Sequence, residues 1–363
     1  MRKGVVILAL TILIGCDNGT QIEDLAITLS VGMDKEEKGV TVTTELLNIQ
    51  KEGSSQTGGG SPKYFLESVE GKTISDAMTR QSGIHPKEVM PLHNKVLVFG
   101  EKMMQKGITD IISEFLRTRS IRGGAYIVAS KSTAHELLKS TAVEEQSIST
   151  SITELVDRQG IQAKAVQFLQ EASGKPQDIV ITLLDTVESE GKKRLAVSGV
   201  AILSHGKLKG YLNEEEMALV ALLNRQKSNV HVTVEYNGEP VEFIISHSKL
   251  NLVSRITGVR PKFIYEGNLT FDVYKSKLGA VVSPDDIARM EELLSQKMNS
   301  KLTELVHKVN TRYRSDVLGL ADHLYRYRPS YWKKHNEDWD TILPDIDIAY
   351  RMKIHIKNVG LHI

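Results

Sequence analysis

Cys16 is the side chain with the most distinctive chemistry, because it is the only cysteine among the 363 residues. A single thiol cannot form an internal disulfide, and it cannot supply a set of sulfur ligands for zinc. The chemistry that remains is that of one nucleophilic sulfur, such as acylation. The residues around Cys16 therefore decide what it does.

The residues before Cys16 have the layout of a secretory signal. Residues 1–3 read Met-Arg-Lys, and residues 5–14 are apolar except for Thr11. This run is too short for a spanning helix, which needs about 20 apolar residues. Residues 13–16 read Leu-Ile-Gly-Cys and resemble the lipobox of bacterial lipoproteins. The lipobox implies that residues 1–15 are a signal peptide and residues 16–21 a tether lipidated at Cys16. An ordinary secreted protein with a stray leader cysteine is the alternative.

Residues 325–334 form a second candidate site, since they read Tyr-Arg-Tyr-Arg-Pro-Ser-Tyr-Trp-Lys-Lys. Such a patch could bind nucleic acid, a membrane surface or a protein partner. Alternatively, the aromatic rings pack inward and only the basic groups meet solvent. With 46 basic and 45 acidic residues the net charge is +1, which does not indicate a nucleic-acid surface. The candidate partner-binding residues are Arg326, Tyr327, Arg328, Tyr331, Trp332 and Lys333.

Other motifs for chemistry are weak. His93 and Asn94 precede an apolar strand pattern, where they could line a ligand cleft or satisfy backbone groups at the strand entrance. His135-Glu136 lacks the second histidine of a metalloprotease motif, and no Gly-x-Ser-x-Gly elbow occurs. A hydrolase is therefore unsupported. We expect no catalytic residue, no metal site and no cofactor.

The elements that would position these residues fall into two regions, in keeping with a chain longer than one hydrophobic core usually serves. Residues 22–187 predict a mixed α/β domain that opens with a β-hairpin and contains a Gly/Ser-rich mobile loop at residues 52–61. Residues 188–195 are charged and predict a linker. Residues 196–363 predict a C-terminal region with two subdomains, about 196–270 and 271–363.

The C-terminal region has the clearest patterns. Asn237-Gly238 between alternating strands indicates a hairpin. Ser283-Pro284 begins a long helix whose apolar residues recur every three or four positions as far as Tyr313. Alternation from Ile348 to Ile356 indicates a strand for this helix to pack on. The fold class is therefore α+β and multidomain, with two to three mixed α/β domains, largely antiparallel or mixed sheets and a long C-terminal helix packed on a sheet.

Nearly the whole mature chain resembles the Ger(x)C family, the lipoprotein C subunits of spore germinant receptors. Many members carry Trp-Asp just after the lipid cysteine, whereas Asp17 follows Cys16 directly here, which puts only the tether in doubt. The resemblance is carried by the lipobox, Ile22–Ile27, His93–Glu101 with Gly107-Ile108, Phe115–Arg122, Gly199–Ile202, Lys207–Leu212, Glu214–Glu216, Asp316–Gly319, Pro329, Trp332, Trp339 and Asp347.

The resemblance implies three small mixed α/β domains and no enzymatic activity. It implies a lipid-anchored receptor subunit on the outer face of the bacterial cell membrane, the inner membrane of the spore. That receptor senses small nutrients such as amino acids and sugars. The implied partners are two integral-membrane subunits, of the A and B types. A lipid-anchored solute-binding protein of a transporter is the alternative function, and it would have two parallel-sheet lobes around a cleft.

Overall fold

The computed structural model describes residues 24–48, 63–140, 147–172, 178–256, 258, 260–275 and 283–358. The expected signal peptide, the tether with Cys16 and the Gly/Ser-rich loop all lie outside these residues. Two β-sheets, each with helices packed on it, account for the described chain. The expected α+β class with mixed sheets is confirmed.

The first sheet has nine strands in the order β3-β2-β1-β5-β6-β7-β8-β9, with β4 paired to the start of β1. Strands β1, β5, β6 and β7 are parallel to one another, and antiparallel pairs flank them on both sides. The bounds are β1 (Leu25–Glu36), β2 (Gly39–Asn48), β3 (Lys63–Gly71), β4 (Glu88–Met90), β5 (Val96–Phe99), β6 (Tyr126–Ser130), β7 (Ile179–Ser189), β8 (Lys192–Ser204) and β9 (Lys207–Leu212).

Helices cover both faces of this sheet, as parallel strands require. Leu97 and Phe99 point into one core, whereas Val96 and Val98 point into the other. The helices are α1 (Ile74–Ile84), α2 (Glu101–Lys106), α3 (Thr109–Arg117), α4 (Ala134–Ser140), α5 (Ile148–Gln159), α6 (Ala165–Ala172) and α7 (Glu214–Leu223), with a 3₁₀ turn at Pro91–His93.

The second sheet has the order β10-β11-β12-β13. The first three strands are an antiparallel meander, and β13 returns parallel to β12 after a helical crossover. The bounds are β10 (His231–Tyr236), β11 (Glu239–Ile256), β12 (Pro261–Lys275), α8 (Pro284–His307), a π-helical turn (Lys308–Arg312), α9 (Leu320–Tyr327), α10 (Pro329–His335), α11 (Trp339–Ile342), a 3₁₀ turn (Leu343–Asp345) and β13 (Asp347–Asn358).

Helix α8 confirms the helix predicted from Ser283. The Ser283 hydroxyl accepts from the Asp286 amide, and the Asp286 carboxylate accepts from the Ser283 amide, which closes a capping box. Its apolar face packs on β13, where the Tyr350 hydroxyl donates to the Leu302 carbonyl at 3.1 Å. The buried face is made of Met290, Leu294, Met298, Leu302, Leu305 and Val306.

The structure differs from the expected division of the chain at two places. Residues 188–195, expected as a linker, are the tip of the β7–β8 hairpin, because Glu190 and Gly191 adopt positive φ and Ser189 pairs with Lys192. The first sheet therefore continues to Leu212. The expected cut near residue 270 falls inside β12, where long antiparallel pairing with β11 holds both sides of the cut together.

Helix α7 links the two sheets. Six of its residues are buried, and five of them share one hydrophobic core with both sheets and with α8. At its start Glu215 pairs with Lys301, and Glu216 pairs with Lys308 at 2.7 Å. The Tyr313 hydroxyl donates to the Tyr211 carbonyl at 3.0 Å across the same junction. The two sheets are therefore packed through a continuous core.

Candidate partner-binding surface

The predicted patch at residues 325–334 lies on helices α9 and α10, and a buried aspartate holds the start of α9. Asp316 accepts from the amides of Leu320 and Ala321 at 2.8 and 2.7 Å. Its own amide donates to the Asp178 carboxylate at 2.7 Å. Gly319 precedes the helix with φ 65°, which a glycine adopts without strain. The acidic cap and the glycine together fix the direction of α9.

Burial raises the pKa of Asp316 to about 7, and the nearby Asp178 acts in the same direction, whereas the two amide donors act against it. An unfolded aspartate titrates near pH ~3.9. The Asp316 carboxyl group therefore binds its proton more tightly in the folded chain than in the unfolded chain. The stabilisation from this titration is full below about pH 4 and is lost as the pH rises through about 7.

We expect Asp316→Asn to remove this pH dependence, because an amide does not titrate. The wild-type free energy of unfolding minus that of the variant should decrease between pH 4.5 and 8. The full titration corresponds to up to about 4 kcal/mol at ~1.36 kcal/mol per pKa unit. Urea unfolding of both proteins at several pH values measures the difference. A difference that stays constant over this range would contradict the assignment.

Trp332 is not part of the exposed patch. It is 8% exposed, and its ring lies edge-on against Trp339, with 5.5 Å between the ring centroids. Both rings belong to the core that carries α8 and the second sheet. The expectation that Trp332 binds a partner is therefore corrected: its ring is a core residue. Tyr331 is half-buried beside His335.

Two of the predicted arginines bind their own chain. Arg326 pairs with Asp322, one turn earlier on α9, at 2.8 Å. Arg328 donates to the Ser254 carbonyl of β11 at 2.9 Å. Strand β10 is short and pairs only with the first part of β11, so β11 has an open edge at Ser254. Arg328 therefore anchors the end of α9 to the second sheet. Burial, together with the charge of Arg328, lowers the pKa of the neighbouring His323.

What remains exposed is a set of tyrosines and cations, which we call the α9–α10 surface: Tyr325, Arg326, Tyr327, Lys333 and Lys334. Tyr325 and Tyr327 are 51% and 62% exposed, although one side of the Tyr327 ring contacts the His323 ring. Exposed tyrosines beside cations are typical of protein interfaces, because the rings bury much area with little loss of conformational freedom. The buried tryptophans beneath give this surface a rigid support.

Of the His93–Asn94 pair, Asn94 has the structural role. The Asn94 side-chain oxygen accepts from the Val96 amide at 3.1 Å, at the entrance to β5, and His93 is exposed. Within the described ranges, no cluster of His, Cys, Asp or Glu could hold a metal ion. Across the same ranges, none of the helices is long and apolar enough to cross a membrane.

Sequence reasoning missed the carboxylates that cap helices from distant strands. Glu45 of β2 accepts from the Ile148 and Ser149 amides at the start of α5, and Asp34 of β1 accepts from the Ala134 and His135 amides at the start of α4. A Cβ on Gly100 would collide with the Asp34 carboxylate, so this glycine is required. Each cap lies about a hundred residues from its helix, and no local pattern identifies it.

Sequence reasoning also missed a cleft of about 1070 Å³ between the two sheets, where α5, α7, α8 and β10 meet. Its walls carry both charges, among them Arg158, Glu214, Lys227 and Lys297. These side chains are exposed. The cleft is open and polar, and its geometry alone does not select a ligand.

Comparison with known proteins covers almost the whole chain. The model described as "Spore germination protein N-terminal domain" matches residues 18–186, and the model "Spore germination B3/ GerAC like, C-terminal" matches residues 198–360.

Relatives match at full length. Spore germination protein B3 of Bacillus subtilis (strain 168) is 26% identical, with 99% of this chain and 98% of that protein covered. Spore germination protein GerQC of Bacillus cereus is 20% identical, with 92% and 94% covered. The crystal structure of the GerBC protein is similar in fold, with a TM-score of 0.61 at 19% identity and coverage of 90% and 97%. From the two matched halves and these relatives, the chain belongs to the Ger(x)C family of spore germination proteins.

Proposed function

We propose that this chain is a lipid-anchored, non-enzymatic subunit of a nutrient germinant receptor at the spore inner membrane. Its role is receptor assembly or signal relay during germination. The observation that carries the proposal is the match of both halves to spore germination families, with relatives of that name matched end to end. The lipobox at residues 13–16 supports a lipid anchor on Cys16.

The partners in this proposal are the integral-membrane A-type and B-type subunits. The α9–α10 surface is the candidate contact, because it presents exposed tyrosines and cations on a rigid support. A solute-binding protein would need two parallel-sheet lobes around its cleft. Here the first sheet is mixed and the second is mostly antiparallel, which favours the receptor subunit.

We expect Arg326→Glu combined with Lys333→Glu to weaken association with the membrane subunits. Both side chains are exposed, and reversing them places negative charge where a complementary partner presents negative charge. Exposed reversals usually change stability little, within about 0.5 kcal/mol per site. Loss of the Asp322 contact adds little, since exposed ion pairs contribute about 0–1 kcal/mol. The measurement is co-purification of both subunits with the tagged chain.

The matched control is Lys102→Glu combined with Lys192→Glu, which changes net charge equally at exposed sites of the first sheet and α2. The control should co-purify like the wild type, and all three proteins should melt at similar temperatures. Unchanged co-purification of the Arg326/Lys333 variant would remove the α9–α10 surface as a contact. A collapsed melt would mean that these side chains hold the domain together.

A further inference from the structure

The second sheet has two chemically different faces. Its inner face packs under α8 and the helices that follow, and it is made of large buried side chains, among them Phe243, Phe263, Tyr265, Leu269 and Phe271. Its outer face alternates with these residues and is solvent-exposed along β13. The outer residues of β13 are all basic from position 351 onward: Arg351, Lys353, His355 and Lys357.

Strand register carries this charge across the sheet. Lys353 of β13 lies beside Asn268 of β12, which lies beside Lys249 of β11. The next row contains Arg351, Glu266 and Asn251 in the same order. These two rows therefore hold three cations and one carboxylate.

The row at the end of the sheet adds one more positive charge. Arg255 is exposed there, beside Lys262 and Asp347, which neutralise each other in an ion pair of 2.6 Å. We call Lys249, Arg255, Arg351, Lys353 and Lys357 the basic sheet face. Its cations lie on β11 and β13, on either side of β12, and neighbouring strands are about 4.8 Å apart. A broad basic surface of this kind matches an extended anionic surface better than a single small ligand.

We infer that the basic sheet face lies against the anionic phospholipid headgroups of the bilayer that holds this protein. The inference rests on the proposed lipid anchorage and deepens it by assigning an orientation. The charge is complementary, because anionic headgroups attract basic residues held near the bilayer surface. The exposed side chains of the basic sheet face are cations, and the exposed Tyr274 ring lies toward β10 beside His231, so the contact is with headgroups and not by insertion. An acyl anchor and a basic surface then act together as two membrane signals.

The test is vesicle co-sedimentation of the unacylated mature chain from residue 17, which retains every described residue. The vesicles contain either phosphatidylcholine alone or phosphatidylcholine with 30% phosphatidylglycerol, in 0.1 M salt. We expect binding to the anionic vesicles and little to the neutral ones. Raising the salt to 0.5 M should release the protein, because exposed charges are then screened.

The triple variant Lys249→Glu, Arg351→Glu, Lys353→Glu should bind the anionic vesicles at least about tenfold more weakly than the wild type, since each cation contributes to the surface attraction. The same three positions changed to glutamine give a milder variant that retains strand pairing, and its binding should be intermediate. A control with equal charge change, Lys38→Glu, Lys102→Glu, Lys192→Glu, alters exposed sites outside the second sheet and should bind nearly as the wild type does.

Equal losses in the variant and the control would overturn the inference, because net charge alone would then explain binding. Binding to neutral vesicles as strong as to anionic ones would also overturn it. So would binding to soluble polyglutamate without binding to vesicles, which would indicate an acidic protein partner. Because the chain carries no acyl group in this assay, its outcome is independent of acylation at Cys16, which labelling tests separately.

Discussion

Replacing Cys16 by alanine is expected to abolish acylation and to leave either a soluble chain or an uncleaved precursor. The reason is chemical: Cys16 is the only thiol in the chain, and in the proposed lipoprotein that thiol accepts the lipid. A diacylglyceryl group buries two long chains at about 0.8 kcal/mol per methylene, so its loss removes the main membrane attachment. Spores with this variant should respond poorly to nutrients.

Membrane fractionation with a labelled fatty acid measures the effect of the Cys16 variant. Asn18→Ala is the matched control, because it changes the tether two residues away and keeps the thiol. The control should label and fractionate like the wild type. If the Cys16 variant does so as well, the lipoprotein assignment is wrong.

The largest effect on stability is expected for Glu45→Ala. The Glu45 carboxylate is 1% exposed and accepts from the Ile148 amide at 2.6 Å, the Ser149 amide at 3.0 Å and the Ser30 hydroxyl at 2.9 Å. Alanine leaves these donors buried without an acceptor at the start of α5. A buried donor left without an acceptor costs about 1–3 kcal/mol, and three such donors remain here, so we expect a loss of about 3–5 kcal/mol.

Urea unfolding of the Glu45 variants measures this cost. Glu45→Gln keeps an oxygen that can accept, so its cost should be smaller than that of alanine. Glu37→Ala is the control, because Glu37 is exposed in the turn between β1 and β2 and should change the free energy by less than about 0.5 kcal/mol. A Glu45→Ala protein as stable as this control would contradict the role of the carboxylate as a cap.

Elements with a local signal could be predicted from the sequence. The capping residues of α8, the alternation of β13 and the Asn237-Gly238 turn each act within a few residues, and all three are confirmed. The expected linker at residues 188–195 shows the limit of such reasoning. Its charged residues occupy a hairpin tip, which has the same composition as a linker because both face water.

The candidate partner-binding surface was predicted only in part, because its details also depend on contacts between distant elements. The alternation of aromatic and basic residues at 325–334 located an exposed surface, but it could not show which ring turns inward. Trp332 is buried because its partner Trp339 follows on α11, and only the tertiary fold brings them together. Tertiary structure also determines the buried caps Glu45 and Asp316, which depend on where their helices lie. The charge rows of the second sheet depend on strand register.

The proposed membrane orientation is compatible with the proposed partner surface. The basic sheet face includes Arg255 of β11, and Arg328 at the end of α9 donates to the carbonyl of the adjacent residue, Ser254. The two surfaces lie on opposite sides of the second sheet, because α9 and α10 pack on its inner face and the basic sheet face is its outer one. A chain whose basic sheet face lies on headgroups therefore leaves the α9–α10 surface uncovered and free for a protein partner.

The wild-type arm of the co-purification experiment tests the central claim most directly. A tagged wild-type chain is extracted in mild detergent from spore membranes, and the proteins that accompany it are identified by mass spectrometry. We predict that an A-type and a B-type integral-membrane germinant receptor subunit are recovered with it in a constant ratio. Recovery of the chain alone, or with the permease of a solute transporter in place of these two subunits, would contradict the account.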